Sequence, residues 1–220
     1  EIREGEMVSI VGKNGAGKST LAKLMCGFEK LDKGAILYKG QDICHKSIKE
    51  RAEFIGFVMQ NPNQMISKNL IYDEVALGLR LRGVDEEEIK ERVEKVLDVC
   101  GLAPFIEWPI SALSYGQKKR VTIASILVLR PQILILDEPT RGIDVGAKAE
   151  IYALMSRLAK QGLGIILISS ELPEILGMSD RIIVMREGHV TGELSREEAT
   201  EERVMLYATA ELAAQPADRG

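Results

Sequence analysis

The run Gly12-Lys-Asn-Gly-Ala-Gly-Lys18-Ser19 sets a lysine and a hydroxyl behind three glycines. Its spacing, G-x-x-x-x-G-K-[ST], is the one that a phosphate cradle requires. Glycines let the backbone turn so that successive N–H groups point inward, and a helix beginning there offers its positive end to an anion. Lys13, Asn14, Gly15, Ala16, Gly17 and Thr20 complete the cradle. Lys18 would neutralise β- and γ-phosphates, and the Ser19 hydroxyl would ligate Mg²⁺. A second constellation is Ile133-Leu-Ile-Leu-Asp137-Glu138, an apolar run ending in two acids. A buried strand rarely ends in adjacent carboxylates without a partner. Alone, the pair reads as solvated surface acids. With the cradle upstream, Asp137 would hold Mg²⁺ and Glu138 would accept a proton from attacking water.

These groups need elements to hold them. Glu6–Val11 reads as a short strand ending at Gly12, and Ser19–Cys26 as a helix closed by Gly27. Short strands are expected at Ala35–Tyr38 and Phe54–Met59, with a turn at Lys39-Gly40. Residues 61–130 are helical in character. Asp85 precedes three glutamates, and Ile89, Val93, Val96 and Leu97 recur at helical spacing up to Cys100. From 131 the α/β rhythm resumes: strands at Ile133–Leu136 and Gly164–Ile168, a helix over Ala147–Gln161, and a terminal hairpin of Arg181–Met185 with His189–Leu194. The tail from Ala210 carries no clear signal.

Composition narrows the function classes. With 220 residues, 45% hydrophobic and 28% charged, the chain can bury a sizeable core, which excludes disorder, collagen and coiled coil as its main content. The balance of 29 basic against 33 acidic residues gives no polycationic surface, so no nucleic acid is expected as partner. Cys26, Cys44 and Cys100 lie far apart, a reduced cytosolic pattern, and His45 and His189 cannot build a histidine metal cluster. No apolar run approaches the roughly 18–20 residues of a spanning helix, and no signal peptide is visible. The start at Glu1, a dozen residues before the cradle, reads as truncated or processed.

Leu113-Ser-Tyr-Gly-Gln117-Lys-Lys-Arg120 opens a further helix through Leu129. This segment resembles LSGGQ, the signature of ATP-binding cassette (ABC) ATPases, with Tyr115 in place of the first signature glycine. Taken alone, Ser114 would be an ordinary N-cap. The resemblance implies that Ser114, Gly116 and Gln117 grip the ATP of a second cassette, so that two chains sandwich two nucleotides. It also implies ATP and Mg²⁺ as cofactors, integral membrane transporter subunits as partners, and a cytoplasmic location, peripheral on the inner face of the cell membrane. Gln60, after Phe57-Val-Met, matches the glutamine that contacts Mg²⁺ and senses the membrane partner. Asp144, in Gly142-Ile-Asp144, matches a residue that reaches across the dimer. In Ile168-Ser-Ser170-Glu171, Ser170 stands where the family carries its switch histidine. The bland alternative is that Ser170 caps the helix that begins near Leu172.

The resemblance divides along the chain. From Glu1 to about Asp137, notably at Phe57–Gln64, Asp73–Leu79 and Trp108–Gln117, it is similar to ATPases of energy-coupling-factor vitamin importers, above all the type serving hydroxymethylpyrimidine. From Asp137 to about Thr209, at Glu138–Lys148 and Ser169–Arg181, it is similar to the second cassette of ribose/xylose-type sugar importers. The expectation is a recombinant chimera joined near Asp137, with a natural mosaic as the alternative. The family also carries some thirty residues before the cradle, with an adenine-stacking aromatic and edge strands, so the N-terminal β elements are expected to be truncated.

The expected fold is therefore α/β: a phosphate-loop NTPase (ABC ATPase) core of mostly parallel sheet, formed by 1–60 and 131–220, with a helical subdomain inserted at 61–130. The expected function is the ATP-hydrolysing subunit of an ABC importer. Two alternatives stand beside it: a cassette that binds ATP and dimerises with little hydrolysis, and a non-transport ABC ATPase.

Overall fold

The computed structural model describes residues 1–209; the tail from Ala210 lies outside the described residues. Its centre is a sheet of β1 (Met7–Val11), β4 (Ile55–Val58), β5 (Ile133–Asp137), β6 (Gly164–Ile168), β7 (Arg181–Arg186) and β8 (His189–Ser195). The order is β4-β5-β6-β1-β7-β8. Neighbours from β4 through β7 run parallel, and β8 returns antiparallel as the expected hairpin. β1 thus lies between two strands from the C-terminal part of the chain. The remaining strands, β2 (Leu37–Tyr38) and β3 (Gln41–Asp42), form a small hairpin of their own. Lys39 and Gly40 both have positive φ (49° and 78°), the conformation that a two-residue turn between twisted strands demands.

The central strands are apolar on both faces because helices cover both. Leu134, Leu136, Ile165 and Leu167 face one core, while Ile135, Ile166 and Ile168 face another, as a period of two requires. The second core is closed by α1 (Lys18–Cys26) through Ala22 and Cys26. A short helix α2 (Ile48–Arg51) follows it. The first core is closed by α3 (Ile71–Leu81), α4 (Glu86–Val99), α5 (Tyr115–Leu127) and α6 (Val145–Lys160). In α4 the Asp85 carboxylate caps the Glu87 N–H at 2.9 Å, as the sequence predicts. α6 begins two residues earlier than expected, because Asp144 provides its cap. α7 (Leu172–Met178) and α8 (Glu201–Thr209) cover β7 and β8. The carboxyl ends of β1 and β5 open toward the same loops, where ligands bind in open α/β sheets.

Candidate functional site

The loop after β1 closes on itself around Lys18. The Lys18 ammonium donates to the carbonyl of Gly12 at 2.7 Å and to that of Lys13 at 3.2 Å. A Cβ on Gly12 would stand 2.2 Å from the Met185 carbonyl oxygen, so only glycine lets the loop leave β1 at that angle. Gly17 caps α1 at φ 98° with no side-chain cap bond, which leaves the first-turn N–H groups for a ligand. Asn14, Gly15, Ala16, Gly17, Lys18, Ser19 and Thr20 line one polar pocket together with Gln60, Asp137, Glu138 and Arg141. The two chemical constellations of the sequence, 118 residues apart, therefore meet.

Their junction is a hydrogen bond from the Ser19 hydroxyl to Asp137 Oδ2 at 3.3 Å. Burial, above all, pushes the Asp137 carboxyl upward; the Ser19 bond opposes that, and Glu138 adds to it. A hydroxyl beside a carboxylate is a hard-oxygen pair that suits Mg²⁺, which takes one or two protein oxygens and completes its shell with phosphates and water. Among the described residues, no group of three or more His, Cys, Asp or Glu could hold a metal unaided. The donor set thus fits a cation that arrives with a nucleotide.

Glu138 is buried and sits at φ 47°, a conformation that a non-glycine residue rarely adopts. Its N–H donates to the Ile168 carbonyl at 2.8 Å, which ties it to the end of β6. Its Oε2 accepts from the Ser170 hydroxyl at 3.2 Å. Ser170 does not cap α7: Glu171 occupies the N-cap position without a side-chain cap bond, and the Glu171 N–H donates to Ser169 Oγ at 3.1 Å. The helix-cap alternative for Ser170 is thereby corrected; its hydroxyl is directed at Glu138.

Beneath this layer is a set of groups that sequence reasoning missed. Glu174 is buried and accepts from Thr140 Oγ1 at 2.9 Å and from Ser169 Oγ. Burial pushes its carboxyl upward, against both hydroxyl bonds. Lys119, with no exposed surface, donates to the carbonyl of Glu138 at 3.0 Å and to that of Gln60. Burial lowers its ammonium to about 8, although Asp137, Glu138 and Glu174 pull it upward. One signal was available: Gly116, Lys119 and Ile123 share the inward stripe of α5, and a lysine on such a stripe needs partners.

The signature segment lies elsewhere. Ser114 and Gln117 form a capping box: the Gln117 N–H donates to Ser114 Oγ at 3.2 Å, and the Ser114 N–H to Gln117 Oε1 at 2.9 Å. Gly116 lies against α6, where a Cβ would stand 2.7 Å from that of Ala147. Asp144 Oδ1 accepts from the Ala147 N–H at 3.0 Å. None of Ser114, Gly116, Gln117 and Asp144 lines the pocket around Lys18. Of the four, Ser114 is exposed and Gly116 is buried at the start of α5, away from that pocket.

A phosphate loop after the first strand, facing an acid pair at the end of a parallel strand one place removed across β6, defines a phosphate-loop NTPase. Residues 1–141 match the ABC transporter family, and the chain belongs to it. An ABC transporter ATP-binding protein of Clostridium perfringens is 54% identical over 210 residues, 95% of this chain and 37% of its own length. Another, from Streptococcus mutans, is 56% identical over 194 residues, 88% of this chain and 35% of its own length. The chain thus spans about a third of the length of these curated relatives. Among solved structures, cbiO1 of Clostridium perfringens, part of the ABC transporter complex cbiONQ, superposes with a TM-score of 0.86 at 35% identity, covering 94% of this chain and 83% of that one. An ATP-binding cassette of an ABC transporter in its ADP conformation gives 0.84 at 26% identity, covering 96% and 90%.

The chimera expectation finds no support here. A single relative is 54% identical over 95% of the chain, a span that includes Asp137. Neither a junction near Asp137 nor a sugar-importer parent finds support.

Proposed function

We propose that this chain is the nucleotide-binding cassette of an ABC importer of the energy-coupling-factor type, and that it binds and hydrolyses Mg·ATP. The observation that carries the reading is the Ser19–Asp137 pair closing a glycine loop around Lys18. Lys18 exchanges the carbonyls of Gly12 and Lys13 for the β- and γ-phosphates. Mg²⁺, when bound at Ser19 and Asp137 with Gln60 beside it, supplies counter-charge to the phosphates. Glu138 takes the proton of a water whose oxygen bonds to the γ-phosphorus while the bond to ADP breaks. The bonds from Ser170 and from the end of β6 hold that carboxylate in place.

A second cassette would meet the Ser114–Gln117 and Asp144 surface. The membrane subunit would dock in the apolar groove lined by Phe28, Ile48, Phe57, Met59 and Met65, which lies along the strand that leads to Gln60. Among the described residues no helix is long and apolar enough to cross a membrane, consistent with a cassette held at the inner face by its partners. Residues 1–60 and the described residues from 131 on would act as the core and 61–130 as the helical subdomain, whose α5 packs against β4 of the core. Ser170 favours one further reading, a cassette that binds and pairs but turns over slowly.

Calorimetric titration tests the site. Lys18→Ala removes a charged hydrogen-bonding partner worth about 1.5–3 kcal/mol, so Mg·ATP should bind roughly tenfold to a hundredfold more weakly. Unchanged affinity would sink the assignment.

A further inference from the structure

Lys119 belongs to α5, the helix that begins with the signature segment, yet its ammonium lies at the far side of the catalytic acid. It reaches two backbone carbonyls from different parts of the chain, that of Gln60 after β4 and that of Glu138 after β5. Its side chain is wholly covered. Burying an ammonium is costly, and an apolar side chain of similar length would fill the space without that cost. The charge therefore serves something other than packing.

The backbone of Glu138 shows what it serves. The left-handed conformation at φ 47° persists only where the surroundings hold it. The Glu138 N–H is held by the Ile168 carbonyl at 2.8 Å, and its carbonyl is held by Lys119 at 3.0 Å. With both ends of the residue fixed, its carboxylate keeps one direction. The same ammonium grips the carbonyl of Gln60, whose residue lines the nucleotide pocket at the end of the strand bordering the apolar groove.

We propose that Lys119 is a positioning residue: one buried ammonium fixes the Gln60 loop and the Glu138 turn to each other and to the signature helix, so that a displacement of the Gln60 loop is carried to the carboxylate that receives the proton. The inference rests on the site assignment above. It assigns Lys119 no contact with the nucleotide.

The test uses the full-length protein with Lys119→Met, which keeps length and removes both bonds, and Lys119→Arg, which keeps the charge. Phosphate release, nucleotide titration and amide hydrogen exchange are measured on each. The expected result for Lys119→Met is a kcat about tenfold to a hundredfold lower, the cost of a misplaced catalytic group, with ATP affinity within about twofold. Amides of 59–64 and 138–142 should exchange faster while those of α4 and β7 do not change. Lys119→Arg should restore most of the rate. Exchange that rises evenly through the chain, or a kcat equal to wild type, overturns the proposal. If the wild type neither binds nor hydrolyses ATP, the site assignment fails, and the exchange pattern still decides whether the tether exists. Should Lys119→Met not fold, Lys119→Gln is measured in the same way, and its failure to fold as well would make Lys119 a structural residue and overturn the positioning role.

Discussion

Ser170 offers the most direct test of how the acid at Glu138 is governed. Its hydroxyl donates to Glu138 Oε2 at 3.2 Å, and it stands where the family resemblance places a histidine. Two substitutions separate the effects. Ser170→Ala removes one hydrogen bond to a charged acceptor, about 1.5–3 kcal/mol where both groups are buried. Here the serine is exposed and the bond is long, so the effect falls at or below the lower end of that range: about 1–1.5 kcal/mol, or roughly a fivefold to tenfold fall in kcat. Ser170→His places a donor farther from the backbone, where it can meet charge developing on the γ-phosphate, an effect of up to about two to three powers of ten. Affinity for ATP should barely change in either variant: Ser170→Ala loosens the aim of the Glu138 carboxylate without touching the phosphate cradle, and Ser170→His acts on charge that develops only in the transition state. The assay is phosphate release at saturating Mg·ATP, with Glu138→Gln as the blank. α7 takes no cap from Ser170, so any fall in melting temperature should be limited to the loss of that one bond. Ser170→His no faster than wild type, in protein that binds ATP normally and pairs with its second cassette, would refute the reasoning. So would a Ser170→Ala that melts several degrees lower at unchanged rate.

Other expectations follow from the same geometry. Asp137→Asn removes a buried charge that burial disfavours, so the nucleotide-free protein should melt higher than wild type while Mg²⁺-dependent ATP binding is lost; thermal melts with and without Mg·ATP check both halves. Gly116→Ala puts a Cβ 2.7 Å from that of Ala147, forcing α5 from α6 at about 1–3 kcal/mol, visible as a lower denaturant midpoint. Burial raises the thiols of Cys26 and Cys100 to about 12, whereas an unfolded thiol ionises near 8.5. Their contribution to stability is therefore complete below about pH 8.5 and is lost progressively as pH rises toward 12; denaturation midpoints between pH 8 and 10 should fall more steeply in wild type than in Cys100→Ala.

The elements that carry the site are legible because their signals are local. Glycine spacing, an apolar run ending in acids, and the Asp85 cap each declare themselves within a dozen residues, and each of these elements stands within two residues of its expected place. The support around the acids is not legible, because it is assembled from separate segments. Glu174 meets Thr140 across 34 residues, and Lys119 meets Gln60 across 59. Nothing in the local pattern marks Thr140 or Ser169 as a partner. The capping role for Ser170 fails for a related reason: a serine before Leu172-Pro173 fits a helix start, yet the chain turns one residue later and sends the hydroxyl to Glu138. The chimera expectation finds no support for a different reason: likeness of short segments to two families says nothing about the match of the whole chain.

The site concentrates negative charge before any nucleotide arrives, and the manner in which it does so bears on function. Asp137, Glu138 and Glu174 each accept from at least one hydroxyl: Ser19, Ser170, and Ser169 with Thr140, respectively. A hydroxyl can rotate and accept as readily as it donates, so each bond can be exchanged without moving the backbone. The cations are arranged differently. Lys18 is tethered only to carbonyls of its own loop, whereas Lys119 is enclosed and fixed between two loops. On the proposed reading, the charge that would move to meet phosphate is held by the loop that would cradle it, and the charge that would stay is sealed beneath Glu138. The Ser19–Asp137 bond, at 3.3 Å the longest of the hydroxyl bonds to Asp137 and Glu138, is the one that a divalent cation would replace. Under that reading Ser19 and Asp137 would hold the cation, and the bonds that aim Glu138, from Ser170 and from the end of β6, would be left in place.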